Sequence, residues 1–181
     1  MKYYKALLFG SIGSIVETSE IQRKSFNKAF KQYGLDWNWT KREYISLLSK
    51  SGGKDRISTY AKKKKIEVNS VYLRNLKTKI FNNYLKKNQL KLRPGVKNLI
   101  SLCKKENIKI AFVSSTSSNN INAILYCLRN SIKKRDFNFI GNAKLVKKFK
   151  PNPDIYLLAL KKLKLKANDC VAIEDSQESL N

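Results

Sequence analysis

The chain has 181 residues, 42% of them apolar, and a formal net charge of +25 with no histidine. That length bounds it to one domain, or one domain with a small insertion, and the apolar content suffices for a core. No apolar run approaches the roughly 20 residues that span a bilayer, and the absence of histidine removes Ser-His and Cys-His catalysis and His-rich metal sites.

Three dispersed cysteines, Cys103, Cys127 and Cys170, fit reduced thiols better than disulfides or zinc. The run Ala6–Phe9 is too short for a signal-peptide core. A cytoplasmic, soluble protein with no membrane association is therefore expected. The excess base is mostly lysine, spread along the whole chain rather than set on one stripe. It reads as compositional drift toward Lys, Asn and Ile, so nucleic acid is not the expected partner.

In chain order, residues 5–9 form an apolar run ending at Gly10, a buried-strand signature. Apolar residues then recur at helical spacing over about 19–33 (Ile21, Phe26, Ala29, Phe30), with Gly34 as the expected cap. Tyr44, Ile45, Leu47 and Leu48 predict a second helix, closed at Gly52-Gly53. Two more helices are predicted over 57–64 and 71–85, so 16–88 reads as all helical. Pro94 and Gly95 open a helix over 96–106. Residues 108–113 form a second buried strand, followed by a polar run over 114–120 and a helix over 121–130. A short strand is predicted over 137–140 and a helix over 153–163. Cys170–Ile173 is a third clear strand, ending at Glu174 and Asp175.

Alternating helices and continuous apolar strands predict a parallel sheet with helices on both faces. Ligands in such sheets bind at the carboxyl ends of the strands. The segments 10–14, 114–118 and 174–176, with Lys150, are thereby expected to form one site.

Four segments resemble, in order, the motifs of the haloacid dehalogenase-like phosphohydrolases. Phe9-Gly-Ser-Ile-Gly-Ser-Ile-Val-Glu-Thr18 resembles the first motif, in which an Asp-x-Asp-Gly-Thr/Ser pattern ends the first strand. Ser114-Ser115-Thr116-Ser117 resembles the second, Lys150-Pro-Asn-Pro-Asp-Ile-Tyr156 the third, and Ile173-Glu-Asp-Ser176 the acidic fourth. Within the helical segment, Asp36-Trp-Asn-Trp39, Tyr44, Leu47-Leu48 and Gly52-Gly-Lys-Asp-Arg56 resemble the cap of the CbbY-type sugar-phosphate phosphatases, the xylulose bisphosphate phosphatase group related to β-phosphoglucomutase.

The resemblance implies an α/β fold: a Rossmann-like core over 1–15 and 89–181, and a small helical cap, 16–88, inserted after the first strand. It also implies a helix, a strand and a further helix after the fourth motif, which this sequence does not contain; one sheet edge is expected to be exposed. The oligomeric state stays open.

In the family the first aspartate attacks the phosphoryl group and the second protonates the leaving oxygen. Here those positions are Gly10 and Ile12. Ser11, read as a strand neighbour pointing to the other face, is not expected to substitute. By the same resemblance Ser114 holds a phosphate oxygen, Lys150 balances the anionic site, and Glu174 and Asp175 help to hold Mg²⁺. Glu17, Gly52, Gly53, Lys54, Arg56 and Ser115 contact the substrate, a phosphorylated sugar or another phosphate ligand. With no carboxylate at Gly10, Mg²⁺ is expected to be weakened or absent, and phosphatase turnover to be impaired. Two other readings stay open: an active Mg²⁺-dependent phosphatase with an unrecognised nucleophile, and a basic nucleic-acid-binding or scaffold protein.

Overall fold

The computed structural model describes residues 4–48, 52–88 and 90–175. Four strands, β1 (Ala6–Phe9), β2 (Lys109–Val113), β3 (Phe139–Gly141) and β4 (Cys170–Ile173), form one parallel sheet in the order β3-β2-β1-β4. β1 is buried throughout, and β2 is buried from its second residue on. That is the reason both read as continuous apolar runs rather than alternating ones. The register sets Phe9 opposite Phe112 on one side and Ile173 on the other. The next residues, Gly10, Val113 and Glu174, therefore emerge side by side at the carboxyl end of the sheet.

Two compact units make up the chain: Met1–Glu17 with Asn88–Asn181, and Thr18–Lys87. The first holds the sheet, the single turn α1 (Ile12–Ile15) and the helices α6 (Val96–Lys105), α7 (Ser118–Cys127) and α8 (Asp154–Leu163). Ile155, Ala159 and Leu163 recur at four-residue spacing along α8 and pack on Ala6, Leu8, Ala111 and Val113.

The second unit holds α2 (Ser19–Gln32), α3 (Lys41–Leu47), α4 (Gly53–Lys64) and α5 (Ser70–Lys87). Its core is aromatic. Phe26, Phe30, Trp37, Trp39, Tyr44 and Tyr60 bury together with Ile57 and Leu73, and the Trp39 ring lies 4.7 Å from Phe26 and 4.8 Å from Phe30. The two tryptophans are core residues of this unit. Among the described residues no helix is long and apolar enough to cross a membrane.

Several element boundaries differ from the sequence expectation, each for a local reason. α3 starts at Lys41 because Thr40 and Glu43 cap it reciprocally, the Glu43 N–H donating to Thr40 Oγ1 at 3.2 Å and the Thr40 N–H to Glu43 Oε2 at 2.9 Å. α7 starts at Ser118, inside the polar run, because the Ser117 hydroxyl accepts from the Asn120 N–H at 3.3 Å. Gly52 and Gly53 do not close α3; they open α4, with Gly52 at φ +81° in the N-cap position. The segment after residue 15 is not all helical either, since Val16 forms an isolated antiparallel bridge with Leu92.

Candidate active site

The chain leaves β1 at Gly10 and turns at once. Ser11 is not a strand residue: it caps α1, its hydroxyl accepting from the Ser14 N–H at 3.0 Å, while Ser14 Oγ donates to the Ser11 carbonyl at 2.7 Å. The Ser11 hydroxyl is thus engaged in closing the turn, a stronger reason against its acting as a nucleophile than strand alternation. Arg93 pins the same turn from the start of α6. Its Nε donates to the Gly13 carbonyl, and its guanidinium pairs with Glu17 at 2.5 Å.

Around Gly10 stand three polar side chains. The Lys150 ammonium donates to the Gly10 carbonyl and pairs with Glu174 Oε1. The Tyr156 hydroxyl donates to the same Glu174 oxygen at 2.6 Å and lies 3.3 Å from the ammonium. The Glu174 side chain is fully buried and that of Lys150 is 11% exposed. A β-carbon at Gly10 would overlap Glu174 Oε1 and Cδ and the Tyr156 hydroxyl. The volume that a side chain at position 10 would fill is therefore occupied by a carboxylate from the neighbouring strand.

Burial pulls the Lys150 ammonium below its ordinary pKa, and the Glu174 hydrogen bond and charge work against that shift. Burial pushes the Tyr156 phenol far up, and the Glu174 carboxylate adds to the rise. Tyr156 stays protonated and so serves as a donor. Glu174 Oε2 is buried with no hydrogen-bond partner among the described residues.

The other expected site residues divide between the two units. In the first, Ser114 is buried and its Oγ accepts from the Thr116 N–H at 3.2 Å. It does not cap α7, which Ser117 does. Ser115 Oγ accepts from the Lys150 backbone N–H at 3.2 Å, so it positions the loop that carries the lysine. The Asp175 carboxylate rests against Gly13, where a β-carbon would overlap Oδ2. Ser176, the last residue of the fourth motif, lies outside the described residues.

In the second unit Lys54 is exposed at the start of α4. Arg56 Nε donates to the Leu47 carbonyl at 3.1 Å, and its guanidinium lies 6.0 Å from the Tyr44 ring centre. Gly53 approaches the Phe26 ring and the Arg74 side chain closely enough that a β-carbon would crowd both.

Two residues were not singled out from sequence. Tyr156 ends the third motif, whose resemblance implies no role for it. Lys77 is buried on α5, hydrogen-bonded to Gln22, with its ammonium 4.8 Å from the Phe26 ring centre and 5.0 Å from that of Phe81. Burial, with the charges of Arg56 and Arg74, lowers its pKa to about 7. The signal was present: Leu73, Lys77, Phe81 and Leu85 are the buried residues of α5, so the lysine stands on the apolar face at four-residue spacing.

Residues 13–181 match the family described as haloacid dehalogenase-like hydrolase. The chain belongs to that family. It is 34% identical over 179 residues to protein CbbY of Cereibacter sphaeroides, covering 97% of this chain and 78% of the relative. It is 28% identical over 180 residues to the β-phosphoglucomutase of Bacillus subtilis, covering 98% and 77%. The crystal structure of CbbY from Rhodobacter sphaeroides in complex with phosphate superposes with a TM-score of 0.86 at 32% identity, over 98% of this chain and 80% of that one. A mutant of the same protein, solved with xylulose-(1,5)bisphosphate, gives 0.85.

Enzymes of this family generally use Mg²⁺. The donors present here do not fit that ion. Mg²⁺ demands a near-octahedral set of oxygens and gives up its waters reluctantly. Gly10 and Ile12 offer no carboxylate, and Asp175, exposed beside Gly13, offers a single one. Glu174 Oε1 is taken by an ammonium and a hydroxyl, and Oε2 is sealed from solvent. Among the described residues no group of three Asp, Glu, Cys or His side chains comes together.

Proposed function

We propose that this chain binds a phosphorylated sugar and turns it over little or not at all. One observation carries the reading. At the carboxyl end of β1, positions 10 and 12 hold glycine and isoleucine, while Ser114, Lys150 and Glu174 remain gathered at that end. Phosphoryl transfer through a covalent intermediate needs an in-line nucleophile and an acid for the leaving oxygen. Removal of a covalent nucleophile typically costs several orders of magnitude in rate. A sugar phosphate is the class suggested by the relatives, which include CbbY proteins and a CbbY mutant in complex with xylulose-(1,5)bisphosphate.

In this reading Ser114 and Lys150 contact the phosphoryl group. Glu17, Gly52, Gly53, Lys54 and Arg56 keep the substrate-contacting role that the family implies for them, and Ser115 acts by holding Lys150. The proposal includes cytosolic residence, which the three free thiols of Cys103, Cys127 and Cys170 support.

A second reading, residual phosphatase activity, is favoured by one feature only: a carboxylate, that of Glu174, stands beside Gly10. Its pairing with Lys150 and Tyr156 makes it a poor nucleophile. The deciding experiment is phosphate release from a panel of sugar phosphates and bisphosphates, run with Mg²⁺ beside a Lys150→Ala control. Release no faster than the control, with calorimetric binding of one of the sugar phosphates, is expected. Turnover that disappears in the control would overturn the reading.

A further inference from the structure

We infer that the phosphate site of this chain works without a divalent cation, and that Glu174 is a resident competitor for Lys150 rather than a metal ligand. The inference deepens the phosphosugar-binding reading and rests on it.

Position 10 has no side chain to fill the space around it, and the register of β4 beside β1 brings Glu174 to the edge of that space. The glutamate enters that space and pairs with Lys150, and Tyr156 fixes it there from a third direction. Three consequences follow for charge. Glu174 is no longer aimed at a solvent-accessible position where a hydrated cation could be held. A divalent cation approaching its one remaining oxygen would meet the Lys150 ammonium, which repels it. The ammonium is already compensated, so an incoming phosphate has to displace a carboxylate to reach it. At contact distance in a partly buried site, such a like-charge competitor outweighs screening by bulk salt.

The two roles predict opposite signs for one substitution. A glutamate that helps to hold Mg²⁺ supports phosphate binding, and its neutralisation weakens it. A glutamate that occupies the lysine opposes phosphate binding, and its neutralisation strengthens it. Glu174→Gln keeps the shape and can still accept from Tyr156, and it removes the charge. A second variant, Tyr156→Phe, releases Glu174 from its other partner while leaving the ion pair intact, and covers the case in which the first variant does not fold.

The experiment is calorimetric titration of the full chain with inorganic phosphate, in EDTA and in Mg²⁺, for the wild type, Glu174→Gln and Tyr156→Phe. Titration with Mn²⁺ alone, followed by electron paramagnetic resonance, runs beside it. The expected result is phosphate binding that Mg²⁺ changes by less than about twofold, tightening about tenfold in Glu174→Gln and by a smaller factor in Tyr156→Phe. Mn²⁺ is expected to stay free in solution. Phosphate binding that requires Mg²⁺ and weakens in Glu174→Gln would overturn the inference and leave the phosphosugar reading standing. So would Mn²⁺ binding that is abolished in Glu174→Gln. Absence of phosphate and sugar-phosphate binding in every variant, with and without metal, would remove the phosphosugar reading and the inference together.

Discussion

Alanine at Gly10 tests the packing argument most directly. Gly10 does not have a positive φ, so its backbone accommodates a side chain without strain. Any cost of Gly10→Ala then comes from what the methyl group meets. It meets Glu174 Oε1 and Cδ and the Tyr156 hydroxyl, all at overlapping distance. Overpacking of this kind costs about 1–3 kcal/mol. If the methyl forces Glu174 off Lys150, part of the roughly 3–5 kcal/mol for breaking a buried ion pair is added. The reduced freedom of the unfolded chain returns about 0.4–1 kcal/mol. A net loss of about 1–3 kcal/mol is expected.

Tryptophan fluorescence is the wrong assay for this substitution, because Trp37 and Trp39 both lie in the other unit. Hydrogen exchange of the β1 and β4 amides reads the right structure. Tyr156→Phe removes one of the overlapped atoms, so the double variant is expected to regain part of the loss, giving a measurable coupling energy. A Gly10→Ala protein as stable as the wild type, with no coupling to position 156, would refute the occupied-space reasoning.

Three further outcomes are expected. Burial lowers the folded pKa of Lys77 from 10.5 to about 7, so the unfolded chain binds more protons between those values and stability rises with pH across that window. Lys77→Met removes the titrating group and is expected to flatten that rise, by an amount on the order of several kcal/mol; parallel urea-midpoint profiles for the two proteins at pH 7 and pH 9.5 would contradict it. Phe30→Ala, at a fully buried ring 4.8 Å from Trp39 and 5.3 Å from Trp37, is expected to cost about 3–5 kcal/mol; here tryptophan fluorescence during urea unfolding is the proper readout. Ser115→Ala deletes the acceptor of the Lys150 N–H, for a loss of about 0.5–1.5 kcal/mol that faster exchange of that one amide reports.

The sheet was legible because its strands are short, apolar and alternate with helices; β4 matches the expected strand at both ends. Helix ends were less legible, since Thr40 with Glu43 and Ser117 with Asn120 fix them through side-chain hydrogen bonds that apolar spacing does not show. Gly52-Gly53 shows the same limit: a glycine pair marks a break, and which helix it belongs to depends on the fold around it. In the site, residue types were readable from the motifs and partnerships were not. The motif resemblance gives Ser115 a substrate and Glu174 a metal, and no motif spells out the partners the structure shows: the Lys150 backbone N–H for Ser115, and Lys150 with Tyr156 for Glu174. A sequence shows which side chain is missing at position 10, but not which neighbour moves into its place.

That neighbour is chosen by register and by electrostatics together. An ammonium as enclosed as that of Lys150 is costly without a carboxylate in contact. Position 10 supplies none, and position 12 supplies none. Glu174 directly follows Ile173, which β4 aligns with Phe9, so it is the acid brought beside Gly10 without further chain movement. Once it pairs with Lys150, the same contact withdraws the lysine from an incoming anion and the glutamate from an incoming cation. Aspartates at positions 10 and 12 would not simply refill an empty site: the first would collide with Glu174 and compete with it for one lysine. The replacement of Gly10 and the placement of Glu174 are therefore one structural change seen from two strands.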